Sequence, residues 1–232
     1  MAVSRRTTRL FWTAVIFLVV IGIAAVTRRT LVLFYPGQFG GNASPAAALD
    51  GGFARHMKLT FVHILPAAFF LAFAPLQFIT NLRQRHLQLH RWSGRALVVL
   101  GLIVGASALV MSFKMNIGGP NETAATTLFG IVFLICLIKG YRHIRRKEVA
   151  RHREWMIRAY GVALGVATTR PIVGIFFAVR RLTPHEFFGI AFWLGFTIAV
   201  LAAEAWIDYT RAQTDRELGN TGGYARDTSL VA

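Results

Sequence analysis

The sequence predicts an all-α fold, a polytopic transmembrane bundle of about six spanning helices with both termini in the cytoplasm. Hydrophobic residues make up 55% of the 232 residues and charged residues only 16%, whereas soluble domains average about 25% charged residues. The apolar residues form long blocks instead of the single stripe that a soluble helix presents. Lysine and arginine cluster at alternate block ends, as they do in membrane proteins of fixed orientation.

Six apolar blocks approach the ~20 residues that a spanning helix needs, and they cover residues 10–26, 59–80, 96–113, 124–141, 159–179 and 187–207. The first follows three arginines, as a signal peptide would. Its apolar stretch exceeds the roughly 7–15 residues of a signal core, which favours an uncleaved anchor. The chain therefore divides into a cytoplasmic N-terminus (1–9), one helical bundle (10–208) and a polar cytoplasmic tail (209–232), which we expect to be disordered.

The orientation follows from the distribution of basic residues. Of the 26 lysines and arginines, 18 fall on the side of the termini and 7 on the other side, with Arg170 inside the fifth block. Because cytoplasmic loops carry the excess of lysine and arginine, both termini are predicted to be cytoplasmic. We expect a multi-pass protein of the cell (inner) membrane, in contact with anionic lipid headgroups.

Charge and cysteine content exclude some classes of function. The net charge of +16 would suit nucleic-acid binding, but the basic residues lie mainly where apolar blocks end, so no nucleic-acid partner is expected. Cys136 is the only cysteine. An intramolecular disulfide, a cysteine-rich metal cluster and a Cys-x-x-Cys redox motif are therefore excluded.

Two polar residues lie inside apolar blocks. Arg170 is about eleven residues into the fifth block, before Pro171 and near mid-bilayer, where an unpartnered charge costs from ~3 to more than 10 kcal/mol. We predict that it anchors an anionic ligand group or a cofactor carboxylate. The alternative is a snorkelling side chain that reaches the outer headgroups. His63 lies about one turn inside the outer end of the second block, within reach of an extended Arg170 side chain.

Small residues in two blocks predict how the helices pack. Gly101 and Gly105, and likewise Gly161 and Gly165, are spaced four apart in the third and fifth blocks. In lipid this spacing allows two helix backbones to approach closely. We expect packing within the bundle, with a dimer interface as the alternative.

Two similar elements precede the third and fifth blocks on the predicted cytoplasmic side. Each has a His-Arg pair, then a tryptophan, then an arginine at the start of a helix. The free backbone N–H groups of a helix N-terminus and the adjacent arginines together favour an anion. The alternative is an interfacial anchor, in which the arginines contact lipid phosphates. The candidates for that contact are Arg91, Arg95, Arg153 and Arg158. A metal at His90 and His152 would lack nearby carboxylates or thiols, so the metal ligands stay undetermined.

Several elements form one pattern between residue 59 and the end of the sixth block. They are His63, Ala74-Pro75-Leu76-Gln77-Phe78, Leu82-Arg83, His90-Arg91-x-x-Gly94-Arg95, His152-Arg153-x-Trp155-Met156-x-Arg158 and Arg170. This pattern resembles the bacterial membrane proteins catalogued as domain-of-unknown-function family 2306. Many relatives have a glycine where this chain has Ala74. The resemblance implies a multi-pass membrane fold and no established activity.

Three functions follow as hypotheses. The leading one is a b-type haem electron-transfer protein, in which His90 and His152 form an inner axial pair and Arg170 holds a haem carboxylate near His63. The second is a carrier or binder of an anionic small molecule or lipid, based on Arg170 and Pro171. The third is a non-catalytic subunit of a membrane complex or a homo-oligomer. Enzymatic activity stays open, although the sequence has no hydrolase triad order and no His-Glu-x-x-His zinc motif.

Overall fold

A computed structural model describes residues 5–39, 47–179 and 182–227, and in these ranges all regular secondary structure is helical. The helices are α1 (Arg5–Phe34), α2 (Pro36–Phe39), α3 (Ala47–Arg55), α4 (Met57–Phe73), α5 (Thr80–Arg85), α6 (Leu87–Lys114), α7 (Gly119–Arg145), α8 (Val149–Val179) and α9 (Pro184–Asp227), with a 3-10 turn at Ala74–Phe78 between α4 and α5. Six helical segments are long and apolar enough to cross a bilayer. The predicted helical membrane bundle is confirmed.

Five of the six spanning helices are longer than the apolar blocks that predict them, and the second, Met57–Phe78, has the same length as its block. The first runs over Arg6–Phe34 and the third over Leu87–Lys114, so each gains one or more turns of polar sequence. Backbone hydrogen bonds continue past the apolar core because extending an existing helix costs much less than starting a new one. For the same reason α9 continues to Asp227, through a segment in which the sequence predicts a disordered tail.

Successive spans run antiparallel, so the start of α1 and the late part of α9 lie at the same end of the bundle. There Phe11 stacks on Trp206, with ring centroids 3.8 Å apart. We call this the terminal end, and the opposite one the distal end. At the distal end Phe34 packs on Phe61, and the Trp193 indole N–H donates to Asn121 Oδ1 over 2.9 Å. α8 is central, because it packs against α1, α4, α7 and α9.

Glycines mark where the helices approach most closely. A Cβ added to Gly101 would lie 2.7 Å from a Leu137 methyl group, and one added to Gly105 would lie 2.5 Å from Leu134. Both glycines therefore face α7. Gly161 faces Ala203 and Gly165 faces Phe196, both on α9. The four-residue spacing is used for packing inside this chain, because small residues permit close backbone contact in lipid.

A three-residue turn joins α7 to α8 at the terminal end. The Glu148 N–H donates to the His143 carbonyl and the Lys147 N–H to the Ile144 carbonyl, each over 3.0 Å, in the pattern of a Schellman cap. Lys147 has φ of 62°, a position usually taken by glycine. The His143 ring also hydrogen-bonds the Glu148 side chain and lowers the pKa of that carboxyl from its usual value. This turn fixes where α8 starts.

Candidate functional site

A cavity of about 420 Å³ lies inside the distal half of the bundle. All six spans and α3 contribute to its wall, so it belongs to the bundle as a whole. Its volume falls within the ~300–1,000 Å³ typical of small-molecule sites. The charged residues in its wall are Arg28, Arg29, Glu122 and Arg170, and His63 is the histidine in its wall.

Arg170 is the unusual residue of this cavity. Two buried side-chain polar atoms among the described residues lack a hydrogen-bond partner, Thr8 Oγ1 and Arg170 Nε. Within the described ranges Arg170 also forms no ion pair within 4 Å. The charge of Glu122 attracts it, and the charges of Arg28 and Arg29 repel it. A guanidinium that is removed from water without an acceptor is unfavourable by several kcal/mol, so the site is incomplete as it stands.

Arg28 and Arg29 differ from Arg170 because both are paired. Asp50 on α3 is buried and accepts from Arg28 Nη2 over 3.0 Å, and it also accepts from Arg29. The Arg29 guanidinium stacks on the Phe53 ring, 3.7 Å from its centroid. These contacts hold α3 across the distal mouth of the cavity, since Asp50 and Phe53 belong to α3 and the arginines to α1.

Among the described residues of the cavity wall Glu122 is the only carboxylate, and its contacts are structural. Its Oε2 accepts the backbone N–H groups of Ile117 and Gly118, each over 2.6 Å. These bonds close the turn that leads into α7, where the backbone N–H groups have no helical partner of their own. A carboxylate in the first turn is also favoured by the helix dipole. Glu122 attracts Arg170 from a distance but does not neutralise it with a direct bond.

His63 is held in place by α6. Its Nδ1 lies 3.0 Å from Ser107 Oγ, which itself bonds the Ile103 carbonyl. This contact fixes the ring in the cavity wall and leaves Nε2 as the atom available to a ligand. His63 and Arg170 therefore line one cavity, as their depths in the sequence predict.

The deeper part of the wall is apolar. Phe70 and Leu71 contribute from α4, Phe133 from α7 and Val162 from α8. Within the described wall all the charged groups lie in the distal part, beside apolar side chains such as Phe177, and the deeper part has no charged group. The cavity thus carries charge at one end only.

A second group of basic residues lies at the terminal end. Charges on Arg83 and His152 act on His90, and Arg83 also acts on His152 and Arg153. His152 Nδ1 is bonded to the Gly140 carbonyl over 2.9 Å, and the Gln77 amide donates to Ser93 Oγ over 2.9 Å. The two His-Arg elements and the segment after the 3-10 turn therefore meet at one place in the fold.

The four arginines expected at the headgroups have different surroundings. Arg91 and Arg95 are exposed, and Arg95 stacks over Trp92. Arg153 donates to Thr210 Oγ1 over 3.3 Å. Arg158 forms a bidentate ion pair with Glu204, with distances of 2.6 and 2.9 Å. It thereby joins α8 to α9, whereas the sequence suggests a contact with lipid phosphate.

The haem hypothesis is not supported by this arrangement. His152 and Arg170 are 18 residues apart on α8, or about 27 Å along the helix axis, so one haem cannot use both His90–His152 and Arg170. The cavity beside Arg170 contains neither His90 nor His152. Among the described residues no group of three or more histidine, cysteine or acidic side chains is placed to hold a metal. The described wall of the cavity supplies one histidine, His63, and so does not fit a haem with two histidine ligands.

One protein family matches the chain. Its profile, described as "Predicted membrane protein (DUF2306)", covers residues 60–207, well over half of the sequence. The chain belongs to this family. The DUF2306 region contains His63, Glu122 and Arg170, whereas Arg28, Arg29 and Asp50 precede it. The common region therefore supplies most of the cavity, and α1 with α3 completes the distal mouth. No curated protein and no solved structure gives a match.

Sequence reasoning identifies Arg170 and His63 but misses the other polar residues of the cavity. Hydropathy places Arg28 and Arg29 beyond the first apolar block, although α1 continues to Phe34. Glu122 lies just before the fourth block and gives no hydropathy signal of its own. The useful signal for Glu122 is its place in the first turn of a spanning helix, beside Gly118, Gly119 and Pro120, where capping carboxylates are favoured.

Proposed function

We propose that this multi-pass membrane protein is a binder or carrier of an organic anion, which it holds in the distal cavity. The observation that carries the proposal is Arg170, a guanidinium in the cavity wall with a buried Nε that has no acceptor. Its planar fork suits carboxylate and phosphate oxygens. A bound anion would supply the missing acceptor.

The charge balance around the cavity supports an anion over a cation. Arg28, Arg29 and Arg170 contribute three guanidiniums, and Glu122 and Asp50 contribute two carboxylates. Asp50 is occupied by the two arginines of α1, and Glu122 by backbone N–H groups. A ligand with one acidic group would balance the remaining positive charge.

The proline positions favour a carrier in particular. Pro66 lies inside α4 and Pro171 inside α8, one turn from His63 and next to Arg170. Proline removes a helix hydrogen bond and is a usual cause of kinks in long helices. In transporters, broken helices and buried charges often mark the substrate site.

The proposal is tested with four probes of one chain length, namely hexanoate, hexyl phosphate, 1-hexanol and hexylammonium. Binding to protein in nanodiscs is measured by equilibrium dialysis against the free aqueous concentration. We expect the two anions to bind at least tenfold more tightly than the alcohol and the amine, because charged hydrogen bonds contribute ~1.5–3 kcal/mol. Equal affinity for all four probes, or tighter binding of the amine, would exclude the proposed site.

The proposed orientation places the terminal end in the cytoplasm and the cavity mouth outside. Cys136 is 2% exposed, so the chain suits single-cysteine labelling after Cys136→Ala. In intact cells an impermeant maleimide should label Gly51→Cys, which is exposed on α3, and not Asn81→Cys, which is exposed on α5. After permeabilisation both positions should react. The reverse pattern in intact cells would invert the orientation.

We propose that anionic headgroups contact Arg91 and Arg95. Both are exposed at the terminal end, and the Trp92 side chain between them is 70% exposed. Tryptophan favours the interface between hydrocarbon and water, and arginine next to it attracts lipid phosphates. Arg158 is omitted from this surface because its partner is Glu204.

A further inference from the structure

We infer that the anion bound in this cavity is an amphiphile, with an acidic headgroup at Arg170 and an alkyl tail that extends toward the middle of the bundle. This inference rests on the proposed function, and it names the class of ligand. The headgroup is a carboxylate or a phosphate monoester, since a guanidinium donates hydrogen bonds to the oxygens of either group.

The shape of the cavity supports a tail. Its wall extends from Glu122 to Phe133 on α7 and from Val104 to Met115 on α6, which is about 16 Å along each helix axis. The cavity is therefore long enough for an alkyl chain.

The wall of the cavity changes from charged at the distal end to apolar at the deep end, which matches the headgroup and the tail of an amphiphile. The charged groups lie at the distal end, and Phe70, Leu71, Phe133 and Val162 line the deep end. Arg170 and Val162 are eight residues apart on α8, about 12 Å along the axis. An extended chain advances about 1.2 Å per bond, so a tail of about ten carbons reaches Val162.

The test uses two series of probes, alkanoates and alkyl phosphates of four to fourteen carbons, bound to the full-length protein in nanodiscs. Affinity is measured against the free aqueous concentration, with empty nanodiscs as the background. We expect binding to tighten about fourfold per methylene up to about ten carbons and then to level off. The carboxylate and phosphate arms identify the preferred headgroup.

Two variants occlude the deep end without touching Arg170. Ala163→Leu and Val104→Phe add bulk to the wall from α8 and α6. In each variant the affinity should stop increasing at a tail at least two carbons shorter than in the wild type. Ala106→Leu is the matched control, because Ala106 is exposed and lies outside the wall. Each variant is first checked for an unchanged unfolding temperature, and two occluding positions on different helices guard against misfolding of one.

The outcomes separate this inference from the proposed function. If anions bind selectively but affinity is independent of chain length, or both occluding variants keep the wild-type plateau, the tail is refuted and anion binding stands. If charge selectivity itself is absent, the proposed function fails.

Discussion

Replacement of Arg170 by methionine is expected to stabilise the ligand-free protein and at the same time to weaken anion binding. The guanidinium has a buried Nε without an acceptor, and replacing a buried charge by an apolar side chain of similar size often stabilises a protein by ~1–4 kcal/mol. We expect an increase of ~1–3 kcal/mol in the free energy of unfolding. Loss of the charged hydrogen bonds to the anion should weaken binding about 10- to 100-fold.

Arg29 provides the matched control, because it lines the same cavity but is paired. Arg29→Met leaves Asp50 buried next to Arg28 alone and removes the stack on Phe53. Breaking a buried pair by removing one partner commonly costs ~3–5 kcal/mol, so this variant should unfold more easily. Denaturant titration of both variants in the same detergent measures the free energy of unfolding, which should rise for Arg170→Met and fall for Arg29→Met. Destabilisation by Arg170→Met would mean that Arg170 serves the fold instead of a ligand.

The prediction for Arg170 also explains why the sequence reveals this residue so clearly. A charge within an apolar block is improbable in a purely structural helix, and this signal depends on one position and its neighbours along the chain. His63 is identified for the same reason. Depth along a helix can be counted from the sequence at ~1.5 Å per residue, so the shared level of the two residues is predictable as well.

The fold is predictable because the bilayer imposes a simple rule on sequence. Each span must be long and apolar, and six such segments are present. Helix ends are harder to predict, because the polar turns of α1 that carry Arg28 and Arg29 carry no apolar signal. Their position in a helix is supported by a pair with Asp50, 21 or 22 residues later. A contact of that kind depends on tertiary structure, which hydropathy does not report.

The function is harder to predict than the fold for a related reason. His90 and His152 look like a ligand pair in the sequence, and they do lie near each other in the fold. The His152 ring, however, is already bonded to the Gly140 carbonyl. The unsatisfied group is instead Arg170, about 27 Å away along α8. Only the hydrogen-bond partners of each group distinguish a site that needs a ligand from one that does not.

The closest approach between α8 and α9 links the stability of the bundle to this site. A Cβ added to Gly195 would lie 2.3 Å from Thr169 Oγ1, 2.8 Å from its backbone nitrogen and 2.9 Å from its Cα. Two of these atoms are backbone, so a side-chain rotation cannot relieve the contact. The two helices must move apart, and Thr169 immediately precedes Arg170.

Gly195→Ala is therefore expected to lower the free energy of unfolding by ~1–3 kcal/mol, the usual cost of an overpacked contact, even though alanine is the better helix former. It should also weaken anion binding, because displacement of α8 at Thr169 moves the adjacent guanidinium. Gly51→Ala is the control, since a Cβ at Gly51 on α3 has nothing within 4 Å. That change should be neutral or stabilise by up to ~1 kcal/mol. If Gly195→Ala unfolds like the wild type and binds hexanoate equally well, the tight α8–α9 contact does not position Arg170.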